Sequence, residues 1–408
     1  MSFTVVILAD VVVFLAALAV TWLTTPIAIR YAERVGALAE PNERSVHVRP
    51  TPYLGGAAMY AGFVAALGVA ALIPALRPVF GGKQWIGVAL AATVLFVVML
   101  VDDLRDISPP AKVAGMVLAA GILSLLGVTM TYFRIPFAGL IVVSSDIAPL
   151  VTAAWVVVMC NAMNLIDGLD GLAAGVAAIA GLAMFLFAVR LQDIGLLGLD
   201  SLGPVLCVAV AGMGLGFLRW NFHPARVFMG DAGAMLLGLL LAAATMLIGG
   251  RVDDAFSGQT FFFFAPLVIP IIILGIPVAD MVLSFVRRLA TGRSFASADR
   301  EHLHHRLLEL GHGPRRTVLM IYAWTILLSC VVLVPTYTGR GNAIVPLALA
   351  AMALLIFAVF HPGNPKRPQV PVLSSPGKHV RGRPPVRRVT VAAEDTATEE
   401  IAIPAGPR

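Results

Sequence analysis

Asn164, Asp167 and Asp170 follow one another at three-residue steps in "NAMNLIDGLDGLAAG", directly after the apolar run "PLVTAAWVVVMC". Asp102, Asp103 and Asp106 end another apolar run in "VDDLRD", and Asp231 stands in "RVFMGDAGAMLLG", where a third begins. Carboxylate and amide oxygens with no thiolate among them suit a hard divalent cation, Mg²⁺ with Mn²⁺ as a substitute. A separate cluster, "DREHLHHR", holds His302, His304 and His305 between Arg300 and Arg306. Its spacing is irregular for zinc and a fourth ligand is missing nearby. A phosphate-binding loop fits it better, because flanking arginines and protonated imidazole all attract an anion.

Each residue has an ordinary reading when taken alone. Asp102, Asp103 and Asp106 suit a charged helix end at a membrane interface. Asn164 and Asp167 suit local capping, and Asp231 is a good N-cap for the run that follows it. Taken together, all idle on one face, they fit that reading poorly.

The elements that must position them are apolar. The chain has 408 residues, of which 59% are hydrophobic and 13% charged, and its mean hydropathy is +0.90. A soluble domain carries about 25% charged residues. Continuous apolar runs of bilayer length exclude an alternating β-barrel pattern. They predict an all-α polytopic membrane protein with about eleven transmembrane helices, near 5–29, 55–76, 85–101, 111–129, 149–164, 172–189, 202–218, 233–249, 263–286, 317–335 and 343–360. The first run lacks a basic leader and a small-residue cleavage site, and reads as a retained helix. Residues 1–361 form the expected membrane domain, and 362–408, proline-rich and charged, a disordered cytoplasmic tail. The segment 129–148 has short β-branched runs around Pro136 and Gly139 that suit a small outer hairpin. The three cysteines, Cys160, Cys207 and Cys330, lie in apolar runs and form no metal or disulfide framework.

Alternating the spans puts fifteen Lys and Arg residues in one set of loops and six in the other, before the tail is counted. The richer set is expected to be cytoplasmic, with the N-terminus outside and the C-terminus inside the cell membrane. The tail reads as a solvated segment with no catalytic part, contact of its arginines with anionic headgroups being the alternative, and no nucleic-acid partner is expected. All the polar clusters then fall on the cytoplasmic side. A secondary transporter would gather them near the midplane on broken helices of repeated halves. Asp102, Asp103 and Asp167 also sit at helix C-termini, where the macrodipole disfavours a carboxylate by about 0.3–1 kcal/mol each. A bound cation would compensate. Asp280, after Pro277 in "GIPVADMVL", either pairs with Arg287 or Arg288 or lines the site. Gly212, Gly214 and Gly216 permit close helix packing, with a homodimer contact as one use.

Six segments in order, "PNERSVHVRPTPYLGG", "VDDLRDISPPAK", "NAMNLIDGLDGLAAG", "NFHPARVFMGDAGAMLLG", "PVAD" and "DREHLHHRLLELGH", resemble the polyprenyl-phosphate N-acetylhexosamine-1-phosphate transferase family. The likeness spans about residues 30–316. It is nearest to the WecA/TagO-like branch, which uses UDP-GlcNAc. The MraY-like branch, which uses UDP-MurNAc-pentapeptide, carries three adjacent histidines where Leu303 here separates His302 from His304. The proline-rich basic tail is not part of the family pattern and resembles that of actinobacterial members, whose lipid is often decaprenyl phosphate. CDP-alcohol phosphotransferases need Ala-Arg three residues after Asp-Gly, and Asp167-Gly168 is followed by Leu169-Asp170-Gly171.

The resemblance implies a cytoplasm-facing enzyme that joins UDP-GlcNAc to undecaprenyl or decaprenyl phosphate and releases UMP. It places Asn164 and Asp231 at the Mg²⁺ ion, and Asp102 and Asp103 beside the attacking lipid phosphate, with Asp102, Asp103 and Asp231 catalytic. Asp167, Asp170, Asn221, His302, His304, His305 and Arg306 fall on the nucleotide-sugar side. His47, Arg49 and Lys112 fall on the lipid-phosphate side.

Overall fold

Among the described residues the apolar runs fold as helices, and several of these continue beyond the expected stretches into the charged residues at their ends. The structure, a computed structural model, describes residues 3–39, 50–135, 139–249, 307–308 and 310–360. Helix α1 covers Phe3–Val35, and a two-residue pair of strands, β1 (Leu38–Ala39) and β2 (Thr51–Pro52), leads into α2 (Gly55–Leu72). A 3₁₀ turn at Pro74–Phe80 precedes α3 (Gln84–Arg105) and α4 (Pro109–Leu125). The expected hairpin follows as β3 (Tyr132–Ile135) and β4 (Gly139–Val142), antiparallel, with Tyr132 opposite Val142. Then come α5 (Ala148–Ile166), α6 (Leu172–Asp193), α7 (Gly203–Asn221), α8 (Gly230–Gly249), α9 (Pro314–Thr338) and α10 (Ile344–Phe360).

Eight of these helices are long and apolar enough to cross a membrane, and α4 and α10 are shorter apolar helices. The chain is thus an all-helical polytopic membrane protein, and ten of the eleven expected spans are helices. The span at 263–286, with Asp280, lies outside the described residues, as does the tail at 362–408.

Helix α8 is the centre. Every residue from Ala232 to Gly249 is buried, as expected of a helix that is apolar all round. It packs against α2, α3, α5 and α7. Its Thr245 hydroxyl accepts the Trp155 indole N–H from α5 at 2.8 Å. Small residues let neighbouring backbones approach closely, the usual device where no hydrophobic force separates helix from lipid. A methyl group at Gly212 would lie 2.5 Å from the Phe14 carbonyl oxygen of α1, and one at Gly214 would lie 2.6 Å from the Ala174 carbonyl oxygen of α6. Gly216 meets the Leu18 backbone in the same way. This corrects the dimer reading of these three glycines: they are buried inside one chain, between α7 and its own neighbours.

Candidate active site

The site forms where α8 begins. Its start is fixed by backbone pairing between the two glycine-bearing loops. Phe228 N–H donates to the Pro52 carbonyl at 2.8 Å, Gly55 N–H to the Phe228 carbonyl at 3.0 Å and Gly56 N–H to the Met229 carbonyl at 2.9 Å. The first amides of α2, which lack partners inside their own helix, therefore hold the segment before Asp231. Gly230 follows at φ +68°, and a Cβ there would lie 2.5 Å from Asp103 Oδ2 and 2.7 Å from the Tyr53 carbonyl oxygen. Only glycine fits this turn.

Asp231 lies in the first turn of α8 rather than at its N-cap. The capping work falls to Asp103, from the last turn of α3. Asp103 Oδ1 accepts Asp231 N–H at 2.8 Å, and Oδ2 accepts Ala232 N–H at 3.2 Å. A carboxylate is well placed there, against the positive end of the α8 dipole. Its neighbour Asp102 faces another way. Asp102 Oδ1 accepts Ile107 N–H at 3.0 Å, and Oδ2 lies 2.6 Å from Lys112 Nζ. The same ammonium lies 2.7 Å from Asp231 Oδ2. Lys112 thus bridges two carboxylates from different helices.

One oxygen from each of Asp102, Asp103 and Asp231 can be chosen so that all lie within 4.8 Å of one another. Such an all-oxygen set, held around a single positive charge, fits a hard divalent cation. Asn164 stands in the last turn of α5, half-buried, and its carbonyl accepts Asp167 N–H at 3.2 Å. Burial first, and then the carboxylates of Asp231, Asp103 and Asp170, raise Asp167 well above the usual carboxylate range. Asp167 therefore sits within electrostatic reach of the cluster and of Asp170.

Asp170 and Asn221, expected on the nucleotide-sugar side, form an adjoining buried brace. Asp170 Oδ2 lies 2.7 Å from His223 Nδ1 and accepts Ala225 N–H at 3.0 Å. Asn221 Oδ1 accepts Gly171 N–H at 3.0 Å, while its Nδ2 donates to the Val227 carbonyl at 2.8 Å. The brace thus ties the start of α6 to the loop that leads into Asp231. Helix α9 locks it from outside. Tyr322 OH donates to the Gly171 carbonyl at 2.5 Å, and Arg315 Nε to the His223 carbonyl at 3.2 Å.

Replacing Asn221 by alanine strands a donor and an acceptor at a residue only 2% exposed. Each orphaned buried group costs about 1–3 kcal/mol. The expected result is a clear fall in the unfolding midpoint of the detergent-purified protein, and an unchanged midpoint would contradict the brace.

The structure therefore gathers Asp102, Asp103, Lys112 and Asp231 into one cluster and sets Asp167, Asp170 and Asn221 beside it. His47, Arg49, His302, His304, His305 and Arg306 lie outside the described residues. Sequence reading missed His223 and Tyr322 as parts of the site. Their partners are 53 and 151 residues away; His223 stands inside the quoted segment "NFHPARVFMGDAGAMLLG", the one signal that could have found it, and no quoted segment contains Tyr322.

Residues 85–249, which run from α3 through α8, match Glycosyl transferase family 4. A decaprenyl-phosphate N-acetylglucosaminephosphotransferase of Mycobacterium tuberculosis (strain ATCC 25618 / H37Rv) is 42% identical over 316 residues, 76% of this chain and 78% of that one. An undecaprenyl-phosphate alpha-N-acetylglucosaminyl 1-phosphate transferase of Thermotoga maritima is 27% identical over 310 residues, 76% of this chain and 86% of that one. A phospho-N-acetylmuramoyl-pentapeptide-transferase of Desulforudis audaxviator is 30% identical over 354 residues, 80% of this chain and 96% of that one. The chain belongs to glycosyl transferase family 4, as the order of its motifs anticipated.

Proposed function

We propose that this protein transfers GlcNAc-1-phosphate from UDP-GlcNAc to a polyprenyl phosphate, decaprenyl or undecaprenyl, at the cytoplasmic face of the cell membrane. The observation that carries the reading is the Asp102–Lys112–Asp231 bridge, set at the start of the buried central helix in a chain 42% identical to a mycobacterial relative whose name describes that chemistry. Fifteen basic residues in the loops and helix ends of one side, against six on the other, support the cytoplasmic placement.

In this reading an oxygen of the lipid phosphate attacks the β-phosphorus of the donor. The bond from that phosphorus to the bridging oxygen breaks, and UMP leaves with the electron pair. Phosphoryl transfer needs position and charge neutralisation more than covalent help from the protein. A lipid phosphomonoester, with a second pKa near ~6, is already largely dianionic at neutral pH and needs no strong base. Asp231, with Asn164 and Asp102, would hold a Mg²⁺ or Mn²⁺ ion, which when bound neutralises the donor diphosphate and the departing phosphate. Lys112 supplies a point charge to phosphate oxygens. Asp103 acts by fixing the first turn of α8, and Asp170 and Asn221 by bracing the loop before it. Asp167 belongs to the nucleoside side. His302, His304, His305 and Arg306 hold the donor's diphosphate or sugar, and His47 and Arg49 serve the lipid phosphate.

The test is a donor competition with purified protein, Mg²⁺ and one polyprenyl phosphate. UDP-GlcNAc is expected to be used, UDP-glucose poorly, and UDP-MurNAc-pentapeptide not at all. A site built to pair with an acetamido group rejects the analogue that lacks it. Preferred turnover of the pentapeptide donor would overturn the donor assignment.

A further inference from the structure

A cavity of about 540 Å³ opens at the same end of the bundle, outside the acidic cluster. The last turns of α1, strand β2 and the loop after α7 enclose it. Pro26, Ile29, Arg30 and Glu33 contribute one face of α1, and Trp220 and Arg226 stand opposite. The lining thus carries two guanidinium groups and one carboxylate. Arg30 and Arg226 are both exposed, and among the described residues neither forms an ion pair with a carboxylate.

The far wall is built rather than incidental. Trp220 Nε1 donates across to the Trp22 carbonyl of α1 at 3.1 Å. Arg219 and Arg226 lie over the Trp220 ring, 5.7 and 5.8 Å from its centroid. Arg226 N–H also donates to the Trp220 carbonyl at 2.9 Å. Ring and guanidinium are therefore held together before any ligand arrives.

The outer surface of α1 identifies the kind of ligand. Leu23, Ile27 and Tyr31 recur at four-residue steps and are 62%, 62% and 59% exposed. Residues four apart lie one above another on a helix, so they form an apolar row along the span. Arg30 borders that row on one side and the cavity face on the other. An anion held by Arg30 thus has an apolar strip directly beside it, running back into the bilayer.

We infer that this cavity binds the phosphodiester headgroup of an anionic phospholipid, with its acyl chains along Leu23 and Ile27. Basic pockets between helices at a membrane surface suit such headgroups, and a tryptophan at that level suits the interface. The binding would reach the acidic cluster mechanically. Thr51 and Pro52 of the cavity wall continue into the Pro52–Phe228 hydrogen bond, and Ala225 of the wall donates to Asp170.

Native mass spectrometry of the full chain, exchanged into phosphatidylglycerol or phosphatidylcholine, tests the inference. One phosphatidylglycerol per chain is expected to be retained in preference to phosphatidylcholine. Each basic residue near a membrane surface contributes about fivefold, so the Arg30→Gln, Arg226→Gln double variant is expected to lose roughly 25-fold. Glu33→Gln, which removes the opposing carboxylate from an exposed position, is expected to strengthen retention, a change that misfolding would not produce. Equal retention of the two lipids, or undiminished retention by a monodisperse double variant, would overturn the inference. So would weaker or unchanged retention in Glu33→Gln. Displacement by an equal concentration of inorganic phosphate would make this a soluble-anion site, and displacement by polyprenyl phosphate would make it an acceptor site; either result overturns it.

Discussion

Turnover of Asp231→Asn is expected to fall by about 10²–10³-fold, the scale of losing one group that stabilises developing charge, with the fold preserved. Asparagine keeps the shape of the side chain but removes its charge. Asp231 is the point at which α8, α3 and α4 converge: its Oδ2 lies 2.7 Å from Lys112 Nζ, and its backbone N–H donates to Asp103 Oδ1 at 2.8 Å. The backbone contact survives the substitution, so the first turn of α8 stays in place. What disappears is the anionic oxygen that fits a divalent cation. Steady-state rates at saturating Mg²⁺, alongside an unfolding curve, separate the two effects. A rate within a few-fold of the native protein would remove Asp231 from the reaction.

Lys112→Ala is expected to destabilise the metal-free protein and to make its stability depend on divalent cations. Without the ammonium, Asp102, 5% exposed, and Asp231, 25% exposed, face each other uncompensated. Removing one partner of a fully buried ion pair costs about 3–5 kcal/mol. Water reaches Lys112 and Asp231 here, each about a quarter exposed, so a smaller loss, about 2–3 kcal/mol, is expected. Mg²⁺ or Mn²⁺ should recover much of the loss by supplying positive charge at the same oxygens. Turnover should stay low even then, because a phosphate partner is missing. Unfolding midpoints with chelator and with excess Mn²⁺ check this, and a midpoint insensitive to Mn²⁺ would contradict the oxygen cluster as a cation site.

Helix positions were legible in the sequence because each span must bury about twenty apolar residues. Helix ends were less so, for a physical reason. Hydropathy marks the hydrocarbon crossing, whereas helical hydrogen bonding continues into the interface. The third span, expected at 85–101, runs as Gln84–Arg105, which carries Asp102 and Asp103 inside its last turn. The eighth, expected at 233–249, begins at Gly230 and places Asp231 in its first turn.

The oxygen-rich chemistry of the site was also legible, from residue type and placement. Its internal division of labour was not. Asp102 and Asp103 are adjacent in sequence, yet one faces Lys112 and the other caps a helix 128 residues away. The brace of Asp170 and Asn221 was hidden likewise, because its hydrogen bonds join the turn before α6 to the end of α7 and the loop after it, 50 and 55 residues on. Lys112, expected on the lipid-phosphate side, proved to be the ion that holds two of the expected acids together.

Direct transfer from the nucleotide sugar to a lipid phosphate at this acidic cluster is tested most directly by measuring UMP release with and without the lipid. Purified protein is mixed with UDP-GlcNAc and Mg²⁺ at a concentration high enough to resolve a single turnover. UMP is expected only when polyprenyl phosphate is present, in step with formation of the lipid diphosphate sugar, and Asp231→Asn should suppress both together. A burst of UMP equal to the enzyme present, in the absence of lipid, would instead reveal a covalent phosphosugar on the protein and contradict direct attack.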